Sequence, residues 1–375
     1  MSLFKMTEQD LLQYVNEIKP IPSKPIEIEN IFKSEISLSH LKRIDKIFNK
    51  GLHFYLDPKS PEVSKDASIF FRKSKFGVDL NIGAKKIVNQ FEEFKISLSG
   101  IAKLAELDLK RTLPIFSLND NPKAVAFELR KTLYPEFNSI QKEFLKSLIG
   151  KFAENNIVVF EFVETWNKIE KANIDGFFLN PNVIVLKRQQ ASFRREIFTI
   201  IHELGHYLLN EEEIELLDIN NLANKNLSKI ERWCNDFAYY FLIGKYDKII
   251  EDMVLVNSTN DYYYETIDEI SKKTHLSKIA LFTRLLYKNK LSQTNYNIIK
   301  EDLDEQYRIR QDEEKKKREL DKQNGIKPGG STPKPINSPL LISTIQTAFY
   351  EGVINEYDVC KKLNIKPDKL DKYLQ

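Results

Sequence analysis

The run Arg195-Glu-Ile-Phe-Thr-Ile-Ile-His-Glu-Leu-Gly-His-Tyr-Leu-Leu209 constrains this chain more than any other stretch. Ile197, Phe198, Ile200, Ile201, Leu204, Leu208 and Leu209 cover most of the circumference of a helix, so that helix is expected to be buried on nearly every side. Yet it carries His202, Glu203 and His206. A buried helix with two imidazoles and a carboxylate needs something that satisfies them. Histidines four residues apart project from the same side, one turn apart, and can both reach one metal ion. Glu203 points toward the same pocket without having to ligate, where it can hold and deprotonate a water; this is the metallopeptidase reading of H-E-x-x-H. A chance occurrence on a solvated helix is opposed by the apolar flanks. The chain has five histidines, so two of them in one pentapeptide is a concentration. Gly205 inside the helix costs about 1 kcal/mol relative to alanine, which predicts close packing at that point.

A catalytic zinc takes three protein ligands and keeps a position open, so a third ligand must come from elsewhere. The downstream acids are Glu211, Glu212, Glu213, Glu215 and Asp218, then Glu231 and Asp236. Residues 227 to 242 read as a helix with an apolar stripe of Leu227, Ile230, Cys234, Phe237, Ala238 and Phe241. At about 100° per residue, Glu231 falls on the edge of that stripe, whereas Asp236 falls nearly opposite and is expected to face water. Glu231 is therefore the better candidate. The acids from 211 to 218 read as a solvated loop or helix end.

Two motifs taken together, Arg195-x-x-Phe-Thr-x-x-His-Glu-Leu-Gly-His206 and Glu231-x-x-Cys-Asn-x-Phe-Ala238, resemble the ImmA/IrrE family of metallopeptidases. That family pairs an H-E-x-G-H helix with a later E-x-x-A-N-x-F-A helix. The resemblance implies His202, His206 and Glu231 as metal ligands, Glu203 as the catalytic residue and Zn2+ as the cofactor. It extends upstream to Ile174-Asp-Gly-Phe-Phe-Leu179 and Val183-Ile-Val-Leu186, similar to the two strands before the family's metal helix. Cys234 stands where the family usually has alanine, a small-for-small change. The resemblance also implies a protein substrate, commonly a helix-turn-helix transcriptional repressor cleaved under stress or on induction of a mobile or phage-related element. The competing reading is a non-proteolytic, antitoxin-like regulator that binds DNA or a repressor on a peptidase fold. Glu203 argues against it, because a purely structural metal closes with four protein ligands and needs no base.

The expected fold is α+β and mostly helical. A small sheet of at least three strands (157–163, 174–179, 183–187) lies beside the metal helix in a zincin-like domain, with helical modules at both ends. Residues 1–60 resemble the end of a small helix-turn-helix domain, with a stop at Asn49-Lys50-Gly51. Lys19-Pro-Ile-Pro-Ser-Lys-Pro25 occupies the place of the turn and recognition helix, and prolines break helices, so DNA binding there is disfavoured. Residues 61–115 form a helical connector, with Ile69-Phe-Phe-Arg72 and then two helices between Ile82 and Leu107. The peptidase domain with its helical subdomain spans 116–299. Within it, 266–275 and 277–290 read as helix, turn, helix with a basic face of Lys272, Lys273, Lys278, Arg284, Lys288 and Lys290, taken as the end of the subdomain rather than a DNA reader. His275 is then a surface or turn residue. Residues 300–336 are an exposed charged helix followed by a Gly/Pro-rich linker, and 337–375 a small helical module that docks rather than folds alone.

Composition adds boundaries. At 375 residues there is length for two or three domains, and a net charge of +3 gives no global push toward nucleic acid. Cys234 and Cys360 lie far apart, so neither a disulfide framework nor a zinc ribbon is expected, and Cys234 is expected to pack as a small apolar residue. No run approaches the roughly 20 apolar residues of a membrane span, and no leader is visible, so a soluble cytoplasmic protein is expected. Nothing in the sequence fixes the oligomeric state.

Overall fold

The computed structural model describes residues 7–18, 20–32, 35–48, 52–56, 80–164, 171–188, 190, 192–212, 228–255, 263–324 and 335–374. Mostly helical with one three-stranded sheet, it has the expected α+β architecture. The chain divides into two compact units, Met1–Phe94 and Lys95–Gln375.

In the first unit, helices α1 (Glu8–Glu17), α2 (Ile28–Ile31), α3 (Leu38–Phe48) and α4 (Leu52–Leu56) follow one another. Leu11, Val15, Ile31, Ile44 and Ile47 close a small core. Among its described residues, the proline-bearing stretch after α1 holds no helix before the single turn of α2, as expected where proline removes the amide donor and clashes with the preceding turn. Side chains hold it instead. Asn16 accepts from the Ile26 amide at 2.7 Å and donates to its carbonyl at 2.9 Å. Arg43 donates to the carbonyls of Val15 and Ile18 that end α1, at 2.9 and 2.8 Å. The stop at 49–51 and the segment 69–72 lie outside the described residues.

Where the sequence predicts two helices there is one, α5 (Ile82–Leu104). Asn81 starts it, its side chain accepting from the Ala84 amide at 2.9 Å. The weak helix formers Ser97, Ser99 and Gly100 are exposed inside it, while Leu98 and Ile101 are buried. Burying each of those apolar side chains yields about 2 kcal/mol, more than the serines and glycine cost the helix.

The second unit continues with α6 (Pro122–Leu133), α7 (Gln141–Glu154), β1 (Val158–Phe162), β2 (Gly176–Leu179), β3 (Val183–Lys187), α8 (Phe193–Leu209), α9 (Lys229–Ile243), α10 (Asp247–Asp252), α11 (Tyr264–Thr274), α12 (Lys278–Tyr287) and α13 (Gln293–Gln323). The sheet order is β1-β3-β2. Strand β1 runs parallel to β3 with Val158 opposite Val183, and β2 is antiparallel to β3 with Gly176 opposite Leu186. Successive strand residues point to opposite faces, and Phe177 and Phe178 are both fully buried, so both faces of the sheet are covered. Helix α8 packs on β2 and β3, and α9 lies between α8 and α6. Tyr296 and Ile299 bury the start of α13, and most of its remaining length is exposed.

The chain closes with α14 (Pro339–Tyr350), α15 (Glu356–Leu363) and α16 (Asp371–Leu374), with α14 seated against α7 and β1. Residues 325–334 of the expected linker lie outside the described residues. Among the described residues no helix is long and apolar enough to cross a membrane.

Candidate metal centre

Local sequence sets the two helices that meet here. Ser192 caps α8 by accepting from the Arg195 amide, and Asn210 ends it in the left-handed region at φ 55°. Every residue from Glu196 to Leu209 is buried. Ser228 caps α9 by accepting from the Glu231 amide at 3.1 Å, which puts Glu231 in the first turn, where the helix dipole favours a carboxylate. Gly205 lets the helices close. A Cβ there would lie 3.0 Å from Cys234 Sγ and 3.1 Å from its Cα, so any side chain would push α9 away.

The structure brings His202, His206 and Glu231 together. His202 Nε2 lies 3.0 Å from Glu231 Oε2, His206 Nε2 lies 3.0 Å from Glu231 Oε1, and the two Nε2 atoms are 3.1 Å apart. All three side chains are at most 2% exposed. Their donor atoms suit one ion. Zinc at about 2.1 Å from three tetrahedral ligands separates them by about 3.4 Å, a few tenths of an ångström more than the spacing observed. The two oxygens of Glu231 divide between the rings, Oε2 beside His202 and Oε1 beside His206, as expected of ligands aimed at a common point.

Glu203 stands next to this triangle. Its Oε2 is buried without a hydrogen-bond partner. Burial pushes its pKa up to about 7, His206 and His202 oppose the rise, and Glu231 and Asp175 add to it. A carboxyl poised there exchanges protons readily near neutral pH. Burial also opposes charge on Glu231, but the two imidazoles hold that carboxyl well below the usual range. The Cys234 thiol neighbours His206, and its pKa is pushed up to about 11, chiefly by burial, so it stays protonated and packs as a small side chain.

Sequence reasoning missed the floor under Glu203. A Cβ on Gly176 would come 2.8 Å from Thr199 Cγ2 and 3.1 Å from Glu203 Cγ, so β2 must be bare at that point. The signal was present, because a glycine inside a strand pattern marks a close approach. Beside it, Arg195 donates to Asp175 at 2.6 Å and ties the start of α8 to the entry of β2.

Other expectations need correction. Asp236 is half-buried rather than water-facing, because Arg284 reaches it at 2.5 Å. Glu212 is buried and accepts from the Asn180 amide at 2.7 Å, whereas Glu211 is exposed; Glu213, Glu215 and Asp218 lie outside the described residues. His275 does sit in a turn, at φ 59°, but it is buried, stacked on Phe137 and 2.8 Å from the Asn138 carbonyl. The basic face around it is largely neutralised. Lys272 and Lys278 share Asp268, Lys273 meets Glu269, and Lys290 caps the carbonyls of Glu251 and Met253.

Residues 156–285 match the family model of the IrrE N-terminal-like domain, Peptidase_M78. The match supports an ImmA/IrrE-family peptidase, and the IrrE-like span contains the whole triangle, Glu203, Gly176 and Cys234. No curated protein matches the chain.

Proposed function

We propose that this chain is a zinc-dependent endopeptidase that cuts a regulatory protein, a helix-turn-helix repressor by resemblance, in stress or mobile-element control. One observation carries the reading: two buried imidazole nitrogens and a carboxylate converge within 3.1 Å of one another beside a second buried carboxyl. His202, His206 and Glu231 would hold the metal, Glu231 contributing the negative charge. Zinc, when bound, supplies Lewis-acid assistance to the scissile carbonyl and to the attacking water. Glu203 takes the water's proton as general base and delivers it to the leaving amine as general acid, and Gly176 leaves room for its side chain to do so.

Glu203→Gln keeps the shape and removes the base. Cleavage of helix-turn-helix repressors by the purified chain, followed by gel and mass spectrometry, should fall at least about 100-fold while metal content stays at the wild-type level. Repressor release that persists in Glu203→Gln would instead make the chain a binding regulator.

A further inference from the structure

Glu161 is a charge in the middle of an otherwise apolar strand, β1, and its side chain is 2% exposed. Its carboxylate serves two masters. Oε1 accepts from Arg188 Nη1 at 2.6 Å and from the Ile336 amide at 3.0 Å, while Oε2 accepts from the Asn337 amide at 2.8 Å. Arg188 in turn donates Nε to Glu196 Oε2 at 2.8 Å. Burial opposes charge on the guanidinium, but Glu196 and Glu161 more than compensate and raise its pKa. Glu196 lies in the first turn of α8, six residues before His202, about 9 Å of helix rise. One buried cluster thus joins the entry of the C-terminal module to the helix that bears both histidines.

We infer that residues 336–337 form a clasp through which docking of the C-terminal module (α14 to α16) holds the start of the metal helix. When the module lifts, Glu161 loses two backbone donors that nothing else in a buried strand replaces, and Arg188 is drawn from Glu196 toward it. The first turns of α8 then loosen. Arg194, which donates to the Leu276 carbonyl at 2.6 Å, and Arg195, on Asp175, anchor the same turn to other elements, so the helix weakens without unfolding. Linkage works in both directions, so a ligand that rigidifies α8 tightens the clasp, and a partner that captures the module relaxes the metal site. This rests on the peptidase reading only for its consequence, that the helix so held carries the metal.

Hydrogen exchange by mass spectrometry on the full chain, metal-free and with added zinc, tests it. Ile336→Pro deletes one amide donor to Glu161. Ala348→Glu places a charge where Ala348 is fully buried against Ile101 and Ala105. Both leave the side chains of Glu161, Arg188 and Glu196 unchanged. In both, residues 339–350 should exchange faster, residues 193–200 should exchange at least about 5-fold faster in the metal-free chain, and zinc should bind at least about 5-fold more weakly, while 183–187 stay unchanged. Faster exchange in 339–350 with 193–200 unchanged would overturn the inference, as would no change in 339–350. A variant that fails to fold shows uniform fast exchange and leaves the test to the other. A wild type that binds no zinc counts against the peptidase reading alone, because the clasp is read on the metal-free chain.

Discussion

Two regions of this molecule carry histidine and buried charge on paired helices, and they resolve that charge differently. Around α11 and α12, the charged groups have local partners. Arg284 meets Asp236 and lies over the rings of Tyr239 and Tyr240, and His275 faces a backbone carbonyl. Where α8 meets α9, the groups have only one another. His202, His206 and Glu231 face inward on a common point, and Glu203 keeps an oxygen without a partner. Buried polar groups that satisfy each other stabilise a fold. Several imidazole and carboxylate groups left facing one shared point mark where a ligand belongs.

That contrast is easiest to break with Arg284→Ala. The variant loses the pair with half-buried Asp236, the hydrogen bond to Tyr240 and the packing of a buried side chain over the Tyr239 ring, so urea denaturation should show a loss of about 3 kcal/mol while metal content is unchanged. Metal loss in that variant at temperatures where it is folded would mean that the two regions are not independent.

His275 sharpens the comparison through pH. Burial, and to a smaller extent Arg194, hold its pKa at about 4, while the unfolded chain titrates near 6.5. The unfolded state therefore binds more protons below pH 6.5, and the neutral ring's contribution, complete above that value, is lost as pH falls toward 4. Relative to His275→Asn, wild-type stability should drop by about 3 kcal/mol between pH 7 and pH 4, read from denaturation midpoints. Parallel curves for the two proteins would show that His275 takes up its proton as readily in the native state as in the unfolded chain.

Gly205→Ala has the smallest expected effect on stability, about 1–3 kcal/mol from overpacking against Cys234, but its effect belongs to the other region. Pushing α9 away moves Glu231 from the histidines, so zinc affinity measured by chelator competition should fall along with stability. Unchanged affinity would mean that the contact at Gly205 does not set the geometry of the triangle.

Much of this was legible in the sequence because it is local. The burial of α8 follows from its apolar residues, the strands from their β-branched and aromatic content, and Glu231 from its angle on one helix. What was not legible came from distant partners. Asp236 looked solvent-facing because its own helix says nothing of Arg284, which comes from three helices later. His275 read as a turn residue, and it is one, but Phe137 and Phe144 arrive from far upstream to bury it. Glu161 gave only the hint of a charge in an apolar strand, and its partners at 188, 336 and 337 are set by tertiary structure.

Metal content by mass spectrometry on purified wild type, His202→Ala and Glu231→Ala tests the central claim most directly. About one zinc per wild-type chain is expected, lost in both variants, with the fold retained by circular dichroism. Zinc kept by Glu231→Ala would contradict the assignment of the third ligand. A folded wild type without metal, after exposure to zinc, would contradict the metal centre itself.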